Sequence, residues 1–153
     1  MVTFTGTQNE LTEAIIDLIL LEYDAVEAYK AAVERLDNKV YKSKLQEFQS
    51  DHERHIDELS KFLTQKKIIP PKGPDAKQFL AKGKTILAGL IGDRLILHAM
   101  NSNEDDTNTA YKRMNDREDL DETIKNILSR AYDDEIKHKT WIEDTLEETE
   151  ETK

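Results

Sequence analysis

Apolar residues recur along the chain in alternating steps of three and four, in four separate stretches. The first runs Leu11, Ile15, Leu18, Glu22, Ala25, Tyr29, Ala32, Leu36, and the second Tyr41, Leu45, Phe48, His52, His55, Leu59, Phe62. The third runs Leu97, Met100, Glu104, Thr107, Tyr111, Met114, and the fourth Ile124, Leu128, Ala131, Glu135, His138, Ile142. Such steps put side chains on one face of a helix, so each stretch predicts an amphipathic helix with that face against its neighbours. Helix 1 is predicted from about Gln8 to Leu36, with Thr7 and Glu10 as a capping box. After a turn at Asp37-Asn38, helix 2 runs from about Lys39 to Thr64. Pro70-Pro71 and Gly73-Pro74 break the chain. Asp75 with Gln78 then starts a short helix through Phe79, Ile86 and Leu90. Helix 3 restarts at Gly92-Asp93 and continues to about Met114. Asp116 to Asp121 is a loop, and Asp119 with Glu122 caps a helix 4 that runs to about Leu146. The pattern predicts a bundle over residues 1–146 and a frayed acidic tail over 147–153.

Six positions break the apolar pattern: Glu22, His52, His55, Glu104, Glu135 and His138. Burying one unpaired ion costs several kcal/mol, so six on core-facing stripes demand a partner, and a pair of divalent metal ions is the natural one. Their depth agrees. Glu22 and His52 are equidistant from Asp37, and Glu104 and Glu135 from Asp119-Leu120, both inside predicted turns. Each pair therefore lies about 15 residues, or roughly 22 Å, from its turn at 1.5 Å per residue. The halves also resemble each other. Glu22-x6-Tyr29 matches Glu104-x6-Tyr111, and Asp51-His52-x-x-His55 matches Asp134-Glu135-x-x-His138.

Composition narrows the class. Charged residues make up 35% of the 153 and hydrophobic ones 37%, with three Pro and five Gly, a mixture suited to a soluble all-α domain. A formal net charge of −10 argues against nucleic acid or an anionic membrane as partner. Without Cys there are no disulfides, no thiolate ligands and no rubredoxin-type electron-transfer module in this sequence. No basic-then-apolar leader and no run of about 20 apolar residues occurs, so a cytoplasmic protein is expected.

These residues resemble the ferritin-like superfamily, most of all its rubrerythrin and bacterioferritin branches. Their pattern is a Glu on helix 1, Glu-x-x-His on helix 2, a Glu on helix 3 and Glu-x-x-His on helix 4. The resemblance implies an all-α ferritin-like four-helix bundle, two helical hairpins joined by a long crossover containing a short helix. It implies a di-iron or related two-metal centre, with zinc or manganese as alternatives to iron, acting on dioxygen, peroxide or Fe(II) as a ferroxidase or peroxidase-type oxidoreductase. Glu135 would bridge the metals, Glu22 and Glu104 would be terminal or bridging carboxylates, and His52, His55 and His138 would complete the set. Asp134, and less strongly Asp51, would orient a ligand histidine, and Tyr29 and Tyr111 would hydrogen-bond to ligand carboxylates.

One position departs from that pattern: His52 stands where the family has a bridging Glu. Three carboxylates do not neutralise two divalent ions, so an additional anion is required and the oxidised state is less favoured. A non-catalytic bundle with zinc or a single metal is the rival reading. Glu27, Glu53, Glu58 and His98 fall off the stripes and read as solvated; Met100, Met114 and Trp141 read as packing. With no fifth helix after helix 4, a small homo-oligomer is expected in preference to a storage cage.

Overall fold

The computed structural model describes residues 3–74, 87 and 89–151. Four helices carry the fold: α1 Leu11–Arg35, α2 Lys39–Gln65, α3 Asp93–Asn115 and α4 Glu122–Glu151. All four stripes face inward. Every stripe residue is buried except Leu11 and Tyr41, which are partly covered at the helix ends. α1 packs against α2 and α3, and α4 against α3 and α2, which makes a square of four.

Contacts at the helix ends set the directions. The backbone N–H groups of Asp37 and Asn38 donate to the Asp93 carboxylate at 2.8 and 2.9 Å, tying the end of α1 to the start of α3. At the opposite end the Arg117 guanidinium donates to the carbonyls of Gly6, Gln8 and Asn9, just ahead of α1. Thus α1 and α3 are antiparallel. Lys66, after α2, pairs with Asp121, before α4, so α2 and α4 are antiparallel too. Adjacent helices oppose one another everywhere, and α2 ends at the opposite end of the bundle from the start of α3, as a crossover between them requires. The predicted short helix lies mostly outside the described residues. Of its neighbourhood, Leu87 is buried and its carbonyl accepts from Leu90 N–H at 3.1 Å.

Three helix ends differ from the sequence pattern. α1 begins at Leu11, and no side chain caps it. The predicted Thr7–Glu10 box is not formed: the Thr7 hydroxyl donates to Phe4 O at 2.7 Å, and Arg117 holds the preceding carbonyls off a helical path. α4 is capped by Asp121, which accepts from Ile124 N–H at 3.0 Å, because the predicted cap Asp119 is engaged by Arg117. The expected tail is helical through Glu151. Arg94 donates to Leu146 O and Thr149 Oγ1 at 2.9 and 2.6 Å and pairs with Glu150 at 3.0 Å, a cation against an acidic helix C-terminus.

The apolar core forms two separate layers. One contains Ile15, Leu18, Leu59, Phe62, Met114 and Leu128. The other contains Leu45, Phe48, Leu97, Met100 and Ile142. Between them, halfway along the bundle, lie the ionisable residues of the stripes. Each fully buried Leu, Ile or Phe contributes about 1.5–3 kcal/mol, so the two layers supply the stability against which a charged middle is held.

Candidate metal centre

The predicted residues converge. Glu22, His52, Glu104, Glu135 and His138 are fully buried and His55 is 1% exposed. They form two overlapping groups, Glu22–His52–His55–Glu135 and His52–Glu104–Glu135–His138, with potential ligand atoms within 4.8 Å of one another in each. His52 and Glu135 belong to both.

Ring orientations follow from the outer partners. His55 Nε2 lies 2.9 Å from Asp134 Oδ2, and His138 Nε2 lies 2.8 Å from Asp51 Oδ2. Each motif's Asp therefore holds the last histidine of the other motif, across the α2–α4 interface. With Nε2 donating outward, Nδ1 is the nitrogen that both rings turn to the centre. There His55 Nδ1 stands 3.3 Å from Glu22 Oε1 and 3.4 Å from Glu135 Oε1, and His138 Nδ1 stands 3.6 Å from Glu104 Oε1. His52 reaches both ways: Nδ1 is 2.6 Å from Glu22 Oε2, and Nε2 is 3.3 Å from Glu104 Oε1.

The tyrosines are unequal. The Tyr29 hydroxyl donates to Glu104 Oε1. The Tyr111 hydroxyl is buried and forms no hydrogen bond, although the nearby Glu22 carboxylate helps raise its pKa. Burial, reinforced by the carboxylates, keeps both phenols protonated well above their ordinary range.

Sequence reasoning missed several supporting residues. Arg54 bonds to Asp134 and, at 3.3 Å, to Asp51; Lys137 pairs with Asp51 at 3.2 Å and Asp134 at 3.8 Å. Both cations occupy the same place in an Asp-x-x-Arg/Lys-His string, which was the available signal. Thr107 Oγ1 and Asn108 Nδ2 donate to Glu104 Oε2 at 3.3 and 3.4 Å, and Asn108 Nδ2 also reaches Glu135 O at 3.1 Å. The off-stripe reading holds for Glu53 and His98, which are exposed, while Glu27 and Glu58 are half-buried at the surface.

Electrostatics divide the carboxylates. Burial would raise Glu22, but the charges of His52 and His55 outweigh it and hold the carboxyl at about 2. Glu104 is likewise lowered against burial, by the neighbouring His138 and His52 imidazoles. Glu135 goes the other way. Burial and the neighbouring Glu104 and Glu22 charges push it up to about 7 despite His52. Neither Glu135 oxygen has a hydrogen-bond partner, and His138 Nδ1 lacks one as well. Buried polar atoms without partners are rare in folded proteins. Here they surround one point and belong to residue types that ligate metals.

The donor set fits a metal. Three carboxylates and three imidazoles suit iron, zinc or manganese, and the histidines are held by carboxylates in the manner of metal-bound imidazoles. Beside His55 the surface opens into a cavity of about 470 Å³ between α2 and α4, its wall including Arg54, Glu58, Arg130 and Asp134. Among the described residues no helix is long and apolar enough to cross a membrane.

Fold and site together define an all-α four-helix bundle with a buried histidine–carboxylate cluster that could hold metal. The chain belongs to the family described as domain of unknown function (DUF2383), whose model matches residues 10–117. That match spans α1 to α3 and includes Glu22, His52, His55 and Glu104. Among solved structures the fold is similar to that of a conserved hypothetical protein, rv2844, from Mycobacterium tuberculosis. The TM-score is 0.73 at 14% identity, over 91% of this chain and 99% of that one, a likeness of fold alone. No curated protein matched the sequence.

Proposed function

We propose that this chain is a ferritin-like metal protein whose central layer holds two divalent ions, iron foremost, for redox chemistry with dioxygen, peroxide or Fe(II). The observation that carries this reading is Glu135, a fully buried carboxylate with neither oxygen hydrogen-bonded, facing Nδ1 of three histidines. A positive charge between these groups would satisfy them all. Glu22, His55 and Glu135 would serve one ion, and Glu104, His138 and Glu135 the other. A bound iron pair supplies electrons for reduction of dioxygen or peroxide. The protein's part is to fix the imidazole lone pairs through Asp51 and Asp134, hold Glu104 through Tyr29, and exclude water with apolar layers on both sides. Keeping the tyrosine hydroxyls protonated makes them hydrogen-bond donors and not ligands.

The test is elemental analysis of protein purified without chelator, followed by anaerobic Fe(II) titration and admission of oxygen. The expected result is two irons per chain and new near-ultraviolet absorption on oxidation. Metal-free protein that also fails to bind Fe(II) would overturn the reading. His52 favours a second reading, a non-catalytic zinc or single-metal bundle, because an imidazole replaces a bridging anion. Zinc in the purified protein and no colour on oxidation would decide for it.

A further inference from the structure

The two halves of the central layer are built differently. Glu104 is held by three groups that would not themselves ligate an ion: Tyr29, Thr107 and Asn108. Glu22 has no such support. Its hydrogen-bond partners among the described residues are His52 and His55, and the Tyr111 hydroxyl forms no hydrogen bond. The difference is written into the helices. Three and four residues after Glu104 come Thr107 and Asn108, whereas three and four after Glu22 come Ala25 and Val26.

His52 divides the ligands further. A neutral imidazole has one lone pair. Nδ1 lies closer to Glu22, at 2.6 Å, than Nε2 does to Glu104, at 3.3 Å; a neutral ring with its proton on Nδ1 leaves Nε2 for the Glu104 side. That side then offers His52 Nε2, Glu104, Glu135 and His138, while the other offers Glu22, His55 and Glu135. The second set is also the one against the surface cavity, which His55 helps to line.

We propose that these are a tight resident half, made by His52, Glu104, Glu135 and His138, and a weaker exchange half, made by Glu22, His55 and Glu135, filled through the cavity beside His55. The inference rests on the two-metal reading above. It assigns the second position to a divalent cation that comes and goes, as a substrate ion or a labile cofactor would.

The experiment is anaerobic calorimetric and spectroscopic titration of chelator-treated full chain with Co(II). Two steps are expected, the first about 10- to 100-fold tighter than the second, the range over which outer-partner support changes metal affinity. Two variants keep all ligands and address one half each. Asp51→Asn loosens His138 and should narrow the gap between the steps; Asp134→Asn loosens His55 and should widen it. Circular dichroism shows whether each variant is folded, and Glu22→Gln, which should remove the weak step alone, stands in if either is not. Two equal equivalents, or the opposite response of the gap, overturns the assignment. One equivalent at saturating Co(II) overturns the two halves and leaves a metal protein, whereas no binding overturns both. Reversing the charge at the cavity wall with Arg130→Glu should speed filling of the second position severalfold at low ionic strength. An unchanged rate overturns the cavity as the path.

Discussion

Glu135 and Glu27 are both helical glutamates, and their surroundings separate them. Glu27 pairs with Lys30 near the surface at 3.6 Å, while Glu135 lies between both ligand groups with no hydrogen bond of its own. Glu135→Ala should therefore lower metal affinity by more than the about 10- to 100-fold typical of an outer partner, and Glu27→Ala should leave it unchanged. Mass spectrometry of metal content after identical purification decides; equal loss in both would contradict the assignment. His52→Glu tests charge balance. The change adds an anion able to reach both ions, so it should bring the two affinities together and lower the reduction potential. An equal or higher potential would mean that charge is not what His52 controls. These six buried residues were legible because each interrupts an apolar period, a signal internal to one helix. Arg54, Lys137 and Asn108 were not, because each acts by reaching a neighbouring helix from a polar position, where a charged or amide residue is unremarkable in sequence.

Helix boundaries were less legible than the helices, and the reason is long-range competition for caps. Thr7 with Glu10 and Asp119 with Glu122 both have the spacing of a capping box, yet Arg117 recruits Asp119, two residues on, and the carbonyls ahead of α1, more than a hundred residues away. By contrast Asn38 caps α2 locally, accepting from Val40 and Tyr41 N–H at 2.9 and 3.2 Å. Asp93 then joins the hairpin turn to the start of α3. Asp93→Ala removes the acceptor of two exposed backbone donors at the α1–α2 turn and should cost about 0.5–1.5 kcal/mol, measured by urea denaturation. Loss of less than loss of an ordinary surface residue would show that water replaces it. Gly6 is constrained for a different reason. Its φ of 97° is left-handed, and an added Cβ would stand 2.7 Å from Arg113 Cβ. Gly6→Ala should cost at least about 1–2 kcal/mol from the backbone alone. An unchanged denaturation midpoint would mean that the segment simply shifts off α3.

For the molecule as a whole, the polar layer trades stability for a site, and pH should expose the exchange. Counting from the two turns located this layer from sequence, because antiparallel hairpins place equidistant residues at one depth. Its protonation state became clear only from the packed structure. Burial opposes a charge on His55, but Glu22, the hydrogen bond to Asp134 and the nearby Glu135 carboxylate prevail and push it up to about 11. His52 and His138 are raised likewise, by their carboxylates against burial. A histidine raised in the fold contributes stability that is complete below about pH 6.5 and lost as pH climbs toward its folded value. Glu135, raised by burial, adds the same sign between its ordinary range and about 7, since ionising it inside the fold is costly. Glu22 and Glu104 have the opposite sign, but their contribution falls away only in acid, below the ordinary carboxylate range. Metal-free protein should therefore lose thermal stability between about pH 6 and about pH 9, by about 2–4 °C for each kcal/mol lost in a domain this size. Metal replaces those protons, so its affinity rises over the same interval. The Tm difference between zinc-loaded and chelator-treated protein should accordingly widen with pH, as read by scanning calorimetry at fixed ionic strength. A metal-free Tm that holds or rises across the window would show that buried imidazolium ions do not neutralise the layer. Parallel curves for the two forms would show that zinc binds elsewhere, without displacing the protons that His52, His55 and His138 carry.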